Sequence, residues 1–351
     1  MTIRDCIEPV AKAKFRYIFS VLLTALLVYL LLSNMRASDI KDTLRNTEIT
    51  FILYGFLTYI LMNFFRVLRF RIILGSGLSM RELFSVVTIH NMYNNLVPAR
   101  LGEISFFYLL KKRKRPVEDA ISALFIARVS DFVVIYLFFF VSFLLCDRRG
   151  QISTHILNTV VILFAFALVV CVCLLLFQTR ISGGLRRFFS SFRLDRFRML
   201  DVMTEKLSLA VNNVRKFESA RLFPVLLYSI LIWASSFLVY FVLMTGMGIH
   251  LNFWNITLGS SITVLITTLP IGGIGGFGTV EGAWTMGYML AGLSMTEAIL
   301  TGFSIHILRI VFLILLGALG YALSFRRREN QFWTPSDTIG VKRSSDGGVK
   351  T

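Results

Sequence analysis

Six apolar runs, at about residues 17–32, 50–65, 117–145, 155–177, 223–247 and 296–325, alternate with short charged stretches along the chain. Most approach the ~20 residues that a helix needs to cross about 30 Å of hydrocarbon. They are apolar around the whole helical circumference, which suits a bilayer and not the core of a soluble domain. The first run is not followed by a small-residue cleavage pattern, so it reads as a span rather than a signal peptide. The pattern predicts an all-α polytopic integral membrane protein with about six full spans.

Two further stretches are apolar but interrupted. One covers about residues 80–110 and breaks around Pro98 and Gly102; the other covers about 258–293 and breaks at Pro270, Gly273, Gly275, Gly276 and Gly278. Broken backbone at membrane depth persists only where protein or a cavity satisfies its polar groups. Basic flanks set the direction of each piece. Lys12, Lys14 and Arg16 place the N-terminal residues 1–16 in the cytoplasm, and Arg66, Arg69 and Arg71 form a basic edge after the second span. Residues 33–48, with charges of both signs, read as an outer loop. The run Lys111–Arg115 returns the chain to the cytoplasmic side, so residues 80–110 go in and come back. The same bookkeeping makes 258–293 a second re-entrant helical hairpin, entering from the opposite face. The halves share little sequence, so an inverted repeat is read from the arrangement of elements.

Charge and composition narrow the class. Of 351 residues, 56% are hydrophobic, and the formal net charge is +17. Those cations sit between spans, which points to topology and anionic lipid rather than nucleic acid. Residues 179–221 are the longest polar stretch and read as a basic cytoplasmic loop lying along the membrane. Residues 326–351 read as a disordered cytoplasmic tail. The domain organisation is therefore one transmembrane unit, 17–325, between two cytoplasmic ends. Cys6, Cys146, Cys171 and Cys173 form no CxxC, and no disulfide, metal or cofactor is expected.

The candidate chemistry lies in and beside the broken hairpins. Asn91, Asn94 and Asn95 share a helical face that converges on Arg100 and Glu103, a set suited to a phosphate or carboxylate headgroup. Satisfaction of the broken backbone is the structural alternative. Arg128 and Asp131 stand three apart on one face of the third span and can neutralise each other. Glu281 has no nearby cation in sequence; Arg309 is the suggested partner, and His306 reads as a packing residue. Intramembrane ionisable groups of this kind mark substrate or proton paths. The string Gly273-Ile-Gly-Gly-Phe-Gly278 fits a dinucleotide fingerprint in letters, but no strand pattern precedes it, so it is not read as one. Walker, HExxH and GxSxG motifs are absent, and no catalytic residue is assigned.

Three motifs in register, Asn94-Asn-Leu-Val-Pro-Ala-Arg-Leu-Gly-Glu103, Arg128-Val-Ser-Asp131 and Pro270-Ile-Gly-Gly-Ile-Gly-Gly-Phe-Gly-Thr-Val-Glu281, resemble the lysylphosphatidylglycerol synthetase/flippase transmembrane family over about residues 12–326. The resemblance implies a lipid-headgroup role for Asn94, Asn95, Arg100, Glu103, Arg128, Asp131 and Glu281. In the best-known members the membrane part is joined to a cytoplasmic aminoacyl-transferase domain; here about two dozen polar residues follow Phe325, so a stand-alone member is expected. The expected function is a flippase in the cytoplasmic membrane, moving an anionic or zwitterionic lipid or lipid-linked intermediate between leaflets. Two other readings stay open. One is an accessory subunit holding a glycosyltransferase or lipid-synthesis partner through residues 179–221. The other is a polyprenyl-phosphate-dependent transferase with Glu103 or Asp131 as base.

Overall fold

The computed structural model describes residues 21–22, 24–33, 37–97, 102–146, 162, 219–268 and 274–331, with residue 37 and residues 325–331 described by backbone alone. Residues 24–32 are helical, and nine helices follow among the described residues: α1 (Ala37–Asn46), α2 (Ile49–Leu74), α3 (Met80–Leu96), α4 (Glu103–Lys112), α5 (Val117–Leu145), α6 (Leu222–Gly246), α7 (Phe253–Thr268), α8 (Thr279–Ala291) and α9 (Met295–Gln331). Helix α1 falls in the stretch 33–48 read from sequence as an outer loop. Its Asp39 in the first turn and Arg45 in the last complement the helix dipole, which periodicity of apolar residues does not register. The second and third elements of each half are short. At 1.5 Å per residue, the 17 residues of α3 and the 13 of α8 reach about 26 and 20 Å, below the bilayer core. Helices α2, α5, α6 and the part Met295–Ser324 of α9 are long and apolar enough to cross. Membrane embedding follows from these four and from the outward faces, where Leu57, Leu61, Phe64, Leu137 and Leu315 stay exposed.

The order long, short, short, long thus occurs twice, in α2–α5 and in α6–α9. The packing repeats it. Helix α2 lies along α6, while the first short helix of each half packs on the last long helix of the other: α3 on α9, α7 on α5. Within each half the short helices pair with each other, α3 with α4 and α7 with α8. The main core lies among α2, α6, α8 and α9 around Tyr288, Leu243 and Ile305; a second one joins α2, α3, α4 and α5 around Phe106 and Leu83. Bonds at the helix ends show which ends gather. Arg115 donates to the Ser76 carbonyl and Arg81 to that of Leu323, so both ends of the α3/α4 pair sit at one basic end of the bundle. At the other end the Glu48 N–H reaches the Gly246 carbonyl. The tip of α3 meets the 3-10 turn Ile274–Gly276, so the two short pairs approach tip to tip.

Local chemistry accounts for where the short helices start and stop. Ser79 and Glu82 form a capping box at the start of α3, and the following Val97 is extended because it precedes a proline. Ser294 and Glu297 do the same for α9. Helix α8 starts from Gly278 (φ 80°), whose N–H donates to the Glu281 carboxylate at 2.7 Å, and it stops at left-handed Gly292 (φ 112°). Gly102 sits directly on the backbone of Tyr93 and Asn94, leaving no room for a Cβ, and that contact lets α4 fold back on α3.

Candidate functional site

A cavity of about 340 Å³ lies where the two short pairs meet, and both long spans of each half contribute to its wall. Its charges are unequal among the described residues: Arg66, Arg69, Arg128 and Arg309 line it, against one carboxylate, Asp131. The remaining polar lining is neutral, chiefly Asn91, Asn94 and Asn95 from one tip and Thr267, Thr268 and Thr279 from the other.

Helix α2 carries two of the arginines on the face that packs inward. Gly55, Tyr59, Met62, Asn63, Val67 and Phe70 are buried at steps of three and four, and Arg66 and Arg69 fall in the same stripe. Only Arg71 is exposed as a basic edge would be; Arg69 is buried, and Arg66 lines the cavity. The expected edge therefore splits, because helix α2 continues nine residues past the apolar run that ended at 65. Arg69 donates to both carboxylate oxygens of Asp131 (2.5 and 3.3 Å) and to Ser229 Oγ (2.9 Å). Trp233 Nε1–H adds a third bond to Asp131 at 2.9 Å. Arg66 donates to Asn91 Oδ1 at 2.9 Å, and Asn91 in turn donates to Asn63 Oδ1 at 3.2 Å.

The pairings differ from those expected along the sequence. Arg128 and Asp131 do not neutralise each other: Arg128 binds Glu103 Oε1 at 3.0 Å, and Asp131 is taken by Arg69. Glu281 does not pair with Arg309. Its Oε1 meets His306 Nδ1 at 2.6 Å, fully buried, with the His306 ring against Phe277 at 4.7 Å. Arg309 instead lies over the Tyr240 ring, 5.5 Å from its centroid. One turn along α9 separates His306 from Arg309, and the capping geometry of α8 turns Glu281 toward the former.

The two halves use these groups alike. Glu103–Arg128 and Glu281–His306 each join residues 25 apart. In both, a carboxylate in the first turn of the second short helix binds the twelfth residue of the following long one. A further charged residue stands three positions on, Asp131 in α5 and Arg309 in α9.

The family model described as lysylphosphatidylglycerol synthase TM region matches residues 17–317. The chain belongs to this family. No curated protein and no solved structure matches it. Every described residue lining the cavity falls inside the matched region.

Of the residues expected at the site, Asn94, Asn95, Arg128, Asp131 and Arg309 come together on the cavity wall, and Gly275 and Gly276 line it with positive φ (60° and 82°). Glu103 and Glu281 stand behind it through Arg128 and His306. Arg100, Pro98, Pro270 and Gly273 lie outside the described residues, as do residues 1–16, most of 155–218 and the tail from 332. Among the described residues no strand precedes the glycine stretch, and Gly278 opens an α-helix of the bundle. No group of His, Cys, Asp or Glu able to hold a metal occurs among the described residues. Arg66, Arg69, Asn63, Trp233 and Tyr240 were not anticipated. The three-residue step from Asn63 to Arg66 to Arg69 is the visible signal for those three; Trp233 and Tyr240 carry none.

Proposed function

We propose that this protein is a lipid transporter of the flippase type, carrying the headgroup of an anionic or zwitterionic lipid or lipid-linked intermediate through the arginine-lined cavity while the chains stay in the bilayer. The observation that carries the reading is the cavity itself, with four guanidiniums and neutral amides and hydroxyls where two opposed helix pairs meet. Guanidinium binds phosphate oxygens bidentately, and Arg66 and Arg309 are not consumed by the salt bridges that hold Arg69 and Arg128. The repeated order of elements supports two re-entrant hairpins in an inverted repeat, the architecture in which a central site is reached alternately from either side. The cations at one end of the bundle, among them Arg71, Arg81 and Lys111–Arg115, favour that end as cytoplasmic, with both termini on the same side of the inner membrane.

Arg66 and Arg309 attract the phosphate in this reading, and Arg128 is held by Glu103. Glu103 and Glu281 hold the two hairpins to the long spans, and the glycines of the second tip permit it to move. The test is reconstitution into vesicles with a headgroup-labelled phospholipid and a membrane-impermeant quencher. Wild type exposes inner-leaflet label at a rate that Arg309→Gln, purified and folded, lowers at least tenfold. Equal rates in the two proteins, or in protein-free vesicles, contradict the proposal.

A further inference from the structure

The family name points to lipid headgroups bearing a lysyl ester, yet the charge distribution around this cavity does not suit a cationic headgroup. Among the described residues each carboxylate near the cavity is occupied. Asp131 accepts two N–H bonds from Arg69 and one from Trp233. Glu103 is taken by Arg128, and Glu281 lies fully buried on His306 and the Gly278 N–H. Two guanidiniums, by contrast, make no salt bridge with a carboxylate among the described residues, although Asp131 lies within electrostatic reach of Arg66. Arg66 has a neutral partner, Asn91 Oδ1, and Arg309 has the face of Tyr240. They lie within electrostatic reach of each other, and Tyr59 lies within reach of both. Asp131 is already held by Arg69, so the two further cations sharing a low-dielectric cavity are undercompensated and repel, and an anion between them relieves both. Beside them Asn94 Oδ1 is buried without a hydrogen-bond donor, an acceptor position for a hydroxyl.

We infer that the cavity selects lipids whose headgroup carries a phosphate and uncharged hydroxyls, and discriminates against the aminoacylated form. Arg66 and Arg309 hold the phosphate oxygens, and Asn94 accepts from a headgroup hydroxyl. This rests on the transporter reading above and narrows its substrate. An ester with two ammonium groups reverses the net charge of a phosphodiester headgroup and meets only filled carboxylates.

The test uses the full chain in phosphatidylcholine nanodiscs, titrated with short-chain phosphatidylglycerol, with its lysyl ester and with water-soluble glycerol phosphate. Phosphatidylglycerol is expected to bind at least tenfold more tightly than either competitor. Arg66→Gln and Arg309→Gln each weaken it about tenfold, whereas Arg309→Lys retains the preference. Asn94→Asp, which adds a carboxylate of the same shape, shifts the ratio toward the lysyl ester. The wild-type ratio decides the matter even if a glutamine variant does not fold. Lysyl ester binding as tightly as phosphatidylglycerol overturns the selectivity and leaves the transporter reading standing. Glycerol phosphate binding equally well makes the ligand a soluble phosphate and overturns the lipid assignment. Binding of none of the three overturns both.

Discussion

Asp131→Asn tests whether the cavity wall is held by a buried ion pair. The side chain of Arg69 is 4% exposed and that of Asp131 16%, and the carboxylate receives both Arg69 nitrogens and the Trp233 indole. Asparagine keeps an acceptor for Trp233 but removes the charge. The Arg69 guanidinium then stays buried with only neutral side-chain partners, the new amide oxygen and Ser229, and its Nε has none to begin with. Removing one member of a buried pair costs about 3–5 kcal/mol, because the other charge is left uncompensated. The contrast is Glu103→Gln. There the side chains of Arg128 and Glu103 are 41% and 33% exposed, so water screens the loss and the cost is about 1 kcal/mol or less. Reversible unfolding in mixed micelles, titrated with a denaturing detergent, measures both. A double variant, Arg69→Met with Asp131→Leu, recovers most of the stability lost by Asp131→Asn, since an apolar pair of similar volume replaces the buried charges. Equal costs for Asp131→Asn and Glu103→Gln, or no recovery in the double variant, would refute this account of the wall.

Three further outcomes follow from the second hairpin. Gly276→Ala, at φ +82° with Val280 in the way of the new methyl, costs about 1–2 kcal/mol, whereas Gly282→Ala, with nothing within 4 Å, is neutral or stabilising in the same unfolding assay. Gly287→Ala pushes a methyl onto the Gly259 carbonyl and costs about 1–3 kcal/mol, read as a lower unfolding midpoint and weaker cross-linking between cysteines placed on α7 and α8. His306→Leu leaves the fully buried Glu281 without its side-chain partner and costs about 3 kcal/mol, and Glu281→Gln in the same chain restores most of it.

Helices α5 and α6 were legible because apolar residues run on there without interruption, and length and hydropathy alone decide a span. The short pairs were legible from their breakers: Gly102, and Gly275, Gly276 and Gly278 before Glu281, stand where one short helix gives way to the next. The pairing of charges was not. Asp131 finds Arg69 from a helix 62 residues earlier in the chain, and the i, i+3 rule that joined it to Arg128 sees one helix only. Arg66 and Arg69 looked like a cytoplasmic flank because basic residues close an apolar run in that way. A helix that continues past the run turns them inward instead, and only the stripe of buried neighbours from Tyr59 to Phe70 distinguishes the two cases. The 25-residue spacing of the tip carboxylates from their cations was present in the sequence. It gains meaning only once α4 and α8 are seen to occupy equivalent places.

The central claim is that a lipid headgroup enters the space between the two tips. A phosphatidylglycerol carrying a photoreactive group on its head, incorporated into vesicles with the wild-type chain and irradiated, tests it most directly when the adducts are mapped by peptide mass spectrometry. The account predicts adducts on cavity residues such as Asn91, Asn95 and Thr267, lost in Arg66→Gln with Arg309→Gln. Adducts confined to the outward faces, at Leu57, Phe64 or Leu315, in wild type and variant alike would contradict it.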